Sequence, residues 1–181
     1  SFATYALPRE MNTVPVAKDL PLELLGPLGC GMQAGAGAVI NSIGLKAGQS
    51  IAIFGGGPVG LSGLLGARAI AAGKIFVVEP NAKRPALAFD PKDGSDIVAA
   101  TKEASGGGVE HALDTTALTP VVGQALNVVL PGGTIGLVGI PAPDAAVPAT
   151  LLDLLVKNVS LKSITEGDAN PDKFVPLMLD Y

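Results

Sequence analysis

The amino-acid sequence predicts a doubly wound α/β fold, a parallel sheet covered by helices on both faces in three αβα layers. Three observations lead there. Short apolar runs recur along the chain, segments of helical length separate them, and glycine or proline clusters mark the joints. The runs are SIAIF (50–54), KIFVVE (74–79), VEHALDT (109–115), GTIGLVGI (133–140) and VSLKSIT (159–165). Their apolarity is largely continuous rather than alternating, as a parallel strand buried on both faces requires. Helices are expected over roughly 58–72, 95–104, 118–129 and 148–157.

The joints have local reasons. Pro58 suits a first helical turn, because its missing N–H would be unpaired there anyway. Ser95 is expected to cap the segment SDIVAATKEA, and Gly106 to Gly108 to stop it with positions that tolerate positive φ. Pro131, Gly132 and Gly133 are expected to break the helix over 118–129 and turn the chain into the next strand. One interval is too short. Between Glu79 and Phe89 only PNAKRPALA is available, where a crossover needs at least about 10–12 residues and a strand besides. A helix end and most of a strand are therefore expected to be missing between Ala88 and Phe89.

Composition bounds the rest. The chain has 181 residues, 48% hydrophobic and 15% charged, which suffices for one buried core and not for two, so 1–181 is read as a single domain. Residues 51–67 and 115–143 carry no charge, but Gly and Pro clusters interrupt both before the roughly 20 clean apolar residues of a membrane span. The N-terminal SFATYALPREMNTVPVAKDL has charges and prolines where a secretory signal would be apolar. A single cysteine forms no internal disulfide, which points to the cytoplasm. A net charge of −4 leaves no basic face for nucleic acid.

Function is concentrated in IAIFGGGPVGLSGLLGARAIAAGKIFVVEP, residues 51–80. Gly55, Gly57 and Gly60 form G-x-G-x-x-G directly after a strand and at the start of a helix. Gly55 permits the tight turn, Gly57 lets a diphosphate approach the backbone, and Gly60 lets helix and strand pack closely. The diphosphate would lie on the helix N-terminus, where free N–H groups and the dipole favour negative charge. Glu79 ends the next strand, where a carboxylate accepts both ribose hydroxyls and repels a 2′-phosphate; the expected cofactor is NAD rather than NADP. Arg84 either reaches the same ribose or lies in solvent. Two other readings of these residues stay open: a glycine turn beside an ordinary surface acid, or a loop and acid that bind S-adenosylmethionine.

A second constellation is PLGCGMQAGAGAV, residues 27–39. Together with GGGPVG, VVEPN, GGVEHALDTT, GGTIGLVGIPAP and TEGDANP, it resembles the coenzyme-binding Rossmann domain of the zinc-dependent medium-chain alcohol dehydrogenases, and most of all their aryl-alcohol (benzyl-alcohol) branch. The resemblance covers essentially the whole chain. It implies hydride transfer between an alcohol and NAD, and a catalytic zinc with Cys30 as one ligand. Its other ligands would precede this segment, residues 1–26 being the remnant of a connection to an absent catalytic domain. The fragment alone is then expected to bind NAD without turning over alcohol or aldehyde. The resemblance further implies that Pro58 and Val59 flank the diphosphate. Thr116 and the Val138-Gly139-Ile140 turn would line the nicotinamide ribose, and the backbone of Ile164 to Glu166 would meet the carboxamide. Ala34 and Ala117 depart from the family's usual threonine and glycine. The lone His111, inside a strand, is read as structural. VSLKSIT is read as a sheet edge pairing with its twin in a homodimer, or within a tetramer. A zinc-free, NADPH-dependent quinone or enoyl reductase of the same superfamily is the rival enzyme.

Overall fold

The computed structural model describes residues 5–10, 13–81 and 96–180. Its centre is a five-stranded sheet, all pairs parallel, in the order β2-β1-β3-β4-β5. The strands are β1 (Ile51–Phe54), β2 (Ile75–Val78), β3 (Val109–Asp114), β4 (Val129–Leu137) and β5 (Ser160–Ser163). The helices are α1 (Leu22–Leu25), α2 (Gln33–Gly37), α3 (Pro58–Ala69), α4 (Ile97–Ser105), α5 (Thr119–Val128), α6 (Leu151–Lys157) and α7 (Pro171–Leu179). The predicted doubly wound α/β sheet is thus present, and each predicted strand has its counterpart. The interval around Ala88 and Phe89 lies outside the described residues, as does Arg84.

β1 shows why the runs are continuous. Ile51 and Ile53 enter a core on one face with Val39, Ala67, Val77 and Leu113, while Ala52 and Phe54 enter a second core on the other with Ala112, Val122, Ala125 and Ile135. All four β1 residues are fully buried. Each large one contributes about 1.5–3 kcal/mol of transfer free energy, so both faces of one short strand stabilise the domain.

Several boundaries differ from expectation. The cap of α4 is Asp96 rather than Ser95; its carboxylate accepts from the N–H groups of Val98 (3.0 Å) and Ala99 (3.2 Å), whereas Ser95 is outside the described residues. Pro131, Gly132 and Gly133 do not separate helix from strand. They lie inside β4 as an irregularity, the register shifting between the pairs Val109–Val129 and His111–Thr134. A bulge of this kind accommodates a proline that has no N–H to give to the ladder. Gly106 does end α4 in the left-handed region, at φ 86°.

An unassigned stretch proved helical. Two π-helical turns, Leu28–Met32 and Ala38–Ile43, flank α2. Small residues bring this helix onto its neighbours: a Cβ on Gly35 would stand 2.0 Å from the Val59 carbonyl oxygen in α3, and one on Gly37 would stand 2.7 Å from that of Gly167. Backbones approach at both places because no side chain intervenes. No described helix is long and apolar enough to cross a membrane.

Candidate functional site

In an open parallel sheet ligands bind beyond the carboxyl ends of the strands, at the crevice where successive strands leave in opposite directions. Here β2 lies on one side of β1 and β3 on the other. The crevice therefore opens beyond Phe54, where the glycine turn begins.

Gly55 adopts φ 98°, and a Cβ there would lie 2.4 Å from the Thr115 hydroxyl oxygen. Its N–H donates to the Val78 carbonyl at 2.8 Å. A Cβ on Gly60 would lie 1.8 Å from the Gly55 carbonyl oxygen, so helix and turn meet there. Gly57 is the N-cap of α3 in extended conformation, and no side chain caps that helix. Gly57 and Val59 are half-buried and Pro58 is exposed, so the uncapped end borders solvent.

Glu79 follows β2 and is 5% exposed. Its carboxylate accepts from the Gly56 N–H at 2.8 Å and from the Asn81 N–H at 2.9 Å. A Cβ on Gly56 would stand 3.1 Å from Glu79 Oε2. The acid therefore sits against the glycine turn. The role of Gly56, which falls at a variable position of the motif, was not legible in the sequence.

Beyond β3 the organiser is Asp114, another residue the sequence reading passed over. It is 1% exposed and its carboxylate accepts from the Thr116 N–H (3.0 Å), the Thr116 hydroxyl (2.7 Å) and the Ala117 N–H (3.0 Å). Thr116 thus directs its hydroxyl to Asp114. Its signal was an acid at a strand end followed by two threonines. Val138, Gly139, Ile140 and Ile164 are brought together with Asp114 and Ala117 around a cavity of about 340 Å³.

Cys30 lies in the first π turn and is exposed. Its Sγ stands 3.7 Å from Glu166 Oε1. The thiol and carboxylate are a donor set that suits zinc. Among the described residues no group of three or more His, Cys, Asp or Glu side chains converges. His111 sits in the middle of β3, away from these groups, with Nε2 3.3 Å from Gln49 Oε1.

Comparison with known proteins agrees with this arrangement. The family model described as zinc-binding dehydrogenase matches residues 58–180. A geraniol dehydrogenase of Castellaniella defragrans is 62% identical across the whole of this chain, which covers 51% of that protein. The crystal structure of benzyl alcohol dehydrogenase from Acinetobacter calcoaceticus superposes with a TM-score of 0.94 at 40% identity, over 99% of this chain and 52% of that one. An alcohol dehydrogenase zinc-binding domain protein from Burkholderia ambifaria gives a TM-score of 0.90, also at 40% identity, over 95% of this chain and 48% of that one. The chain spans about half the length of the curated relatives it matches. With a family match over most of its length, the chain belongs to the zinc-binding dehydrogenase family, as part of its coenzyme-binding domain.

Proposed function

We propose that this chain is the NAD-binding domain of a zinc-dependent alcohol dehydrogenase acting on small alcohols and their aldehydes, with aryl alcohols the favoured class. The contact between the Glu79 carboxylate and the Gly56 amide carries the reading, because it sets a buried acid at the edge of the glycine turn. A carboxylate at the end of the second strand, beside the glycine turn, stands where an acid holds ribose hydroxyls in a dinucleotide crevice. The uncapped N-terminus of α3, with Gly57, Pro58 and Val59, would hold the diphosphate. Thr116 orders the turn after β3 through Asp114. The cavity by Val138, Gly139, Ile140 and Ile164 would receive the nicotinamide side, next to the backbone leading to Glu166.

Bound here, NAD would supply the hydride acceptor and zinc the Lewis acid for the alcohol oxygen. Cys30 would hold zinc, the remaining ligands coming from the part of the protein this chain does not span. The chain's own task is positioning. It orients the cofactor against the metal side and excludes water from the apolar cavity walls.

Assembly and location extend the proposal. β5 is a sheet edge, and α6 next to it exposes Leu151, Leu152, Leu155 and Val156. An apolar helix face beside an open strand supports a homodimer, or a tetramer built from it. The single cysteine supports a cytoplasmic setting. We also propose that the chain is one domain shortened between Ala88 and Phe89. The alignment with the geraniol dehydrogenase runs over 189 positions, more than the chain's 181 residues, as an internal shortening would produce.

Calorimetric titration with NAD, NADPH and S-adenosylmethionine tests the reading. Saturable NAD binding with weaker NADPH binding is expected. Tight NADPH binding without preference for NAD would favour a reductase, and binding of S-adenosylmethionine alone would overturn the dinucleotide assignment.

A further inference from the structure

The turn Glu166–Asp168 holds three successive residues in the left-handed region, Glu166 at φ 48°, Gly167 at 68° and Asp168 at 49°. Only the middle one is a glycine, so two residues with a Cβ keep a conformation that sterics disfavour. Such strain persists where surrounding structure over-determines it, and it gathers at ligand sites.

Asp168 fastens the turn. The Ser42 hydroxyl, from the second π turn, donates to its carboxylate at 2.7 Å, and Lys162 Nζ, from β5, lies 3.4 Å away. The same ammonium donates to the Ser42 carbonyl at 3.1 Å. Asn41 Nδ2 donates to the Gly167 carbonyl at 3.2 Å, and a Cβ on Gly167 would stand 2.5 Å from the Gln33 carbonyl oxygen. Lys162 and Asp168 side chains are each 45% exposed, and an ion pair at such a surface contributes little. Ser42 is buried, so its charge-assisted hydrogen bond is the firmer hold.

The turn borders the cavity described above. The Asp168 N–H donates to the Thr165 carbonyl at 3.0 Å, closing the turn on the residue that precedes it. Ser163, Ile164 and Thr165 line the cavity of about 340 Å³ together with Val138 and Gly139. These residues follow the carboxyl ends of β4 and β5, across the sheet from Glu79 at the end of β2. A doubly wound sheet binds a dinucleotide with one half on each side of its crevice. With the acid after β2 on the adenosine half, the nicotinamide half falls to this cavity.

We propose that Asp168 is a positioning residue for the nicotinamide half of the cofactor: by clamping the left-handed turn to Ser42 it fixes Thr165 and the cavity wall on which that half rests. The proposal rests on the reading of this chain as an NAD-binding domain. A glycine at 168 would adopt the same backbone without strain. The aspartate adds the clamp.

The test compares binding of NADH with that of ADP-ribose, which lacks the nicotinamide ring, in the full-length protein carrying this chain. Calorimetry reads both affinities, and the emission of reduced nicotinamide reports the surroundings of the ring. Asp168→Ala should weaken NADH binding at least about 10-fold, move the bound emission toward that of free NADH, and leave ADP-ribose affinity unchanged. Equal loss for both nucleotides, as a merely structural role would give, overturns the proposal; so does no loss for either. Asp168→Gly separates clamp from strain. It should stay folded, since glycine takes the φ of 49° freely, and show the same selective loss. Parent-like NADH affinity in that variant overturns the proposal. Asp168→Asn, which keeps an acceptor for Ser42, should restore part of the affinity. Near-ultraviolet circular dichroism confirms folding; should Asp168→Ala unfold, Asp168→Gly decides. A parent that binds neither nucleotide overturns the NAD reading and this proposal with it, whereas parent binding that no variant changes overturns this proposal alone.

Discussion

The Gly56 amide donates to the Glu79 carboxylate at 2.8 Å, joining the loop after β1 to the end of β2 across the mouth of the crevice. Replacement of Glu79 by Ala removes the acceptor for this amide and for that of Asn81. Hydrogen bonds to a charged group are worth about 1.5–3 kcal/mol each, so NAD affinity is expected to fall at least about 10-fold and the preference over NADPH to shrink. Calorimetry with both nucleotides reads the change. Equal NAD affinity in Glu79→Ala would remove the acid from the binding site.

Gly60 and Gly29 make a matched pair of substitutions. A Cβ on Gly60 would collide with the Gly55 carbonyl oxygen at 1.8 Å, whereas one on Gly29 meets nothing within 4 Å. Gly60→Ala is expected to destabilise by about 3 kcal/mol or more and to abolish NAD binding, while Gly29→Ala is neutral or slightly stabilising. Urea denaturation distinguishes them.

Ala117 adopts φ 57°, and its Cβ would lie 2.8 Å from a Cβ placed on Gly139. The left-handed conformation costs an L-residue about 1–2 kcal/mol, partly offset by the greater freedom of glycine when unfolded. Ala117→Gly is therefore expected to stabilise by up to about 1 kcal/mol, and Gly139→Ala to destabilise. Melting temperatures moving in opposite directions would bear this out.

Burial pushes the His111 imidazole below its ordinary value of 6.5, against an opposing pull from Glu110. Its Nδ1 is buried without a hydrogen-bond partner among the described residues, which favours the neutral ring with Nε2 facing Gln49. The unfolded chain takes up the proton more readily. The stabilising contribution is thus complete above about pH 6.5 and is lost as pH falls below it toward the folded value. Parent and His111→Gln should diverge in melting temperature across that window, the parent falling more steeply. Parallel curves would rule out the titration.

The exposed face of α6 offers a test of assembly. Leu151 is 86% exposed and Leu155 76%. Charges placed there as Leu151→Lys and Leu155→Lys should shift sedimentation from dimer to monomer without lowering the helical signal. A dimer that persists unchanged would place the interface elsewhere.

Much of the architecture was legible because it rests on short-range rules. Continuous apolar runs mark strands buried on both faces, and Gly55, Gly60 and Gly106 stand where backbone geometry or close approach forbids a side chain. The joints were less legible. Ser95 and Asp96 are both good capping residues in adjacent positions, and a proline with two glycines reads equally as a break or as a bulge. The helix through Gln33 to Gly37 was missed because its glycines and alanines serve contacts with Val59 and Gly167 rather than helical periodicity.

The sequence by itself determined the order of the strands, the glycine turn and the acid that follows the second strand, since propensity and patterning act over a few neighbouring residues. Only the tertiary structure decided which side chains meet. Cys30 and Glu166 are 136 positions apart, and their approach depends on a helix and a strained turn packing backbone to backbone. No local preference encodes that distance; it follows from how the whole sheet and its covering helices close around one another.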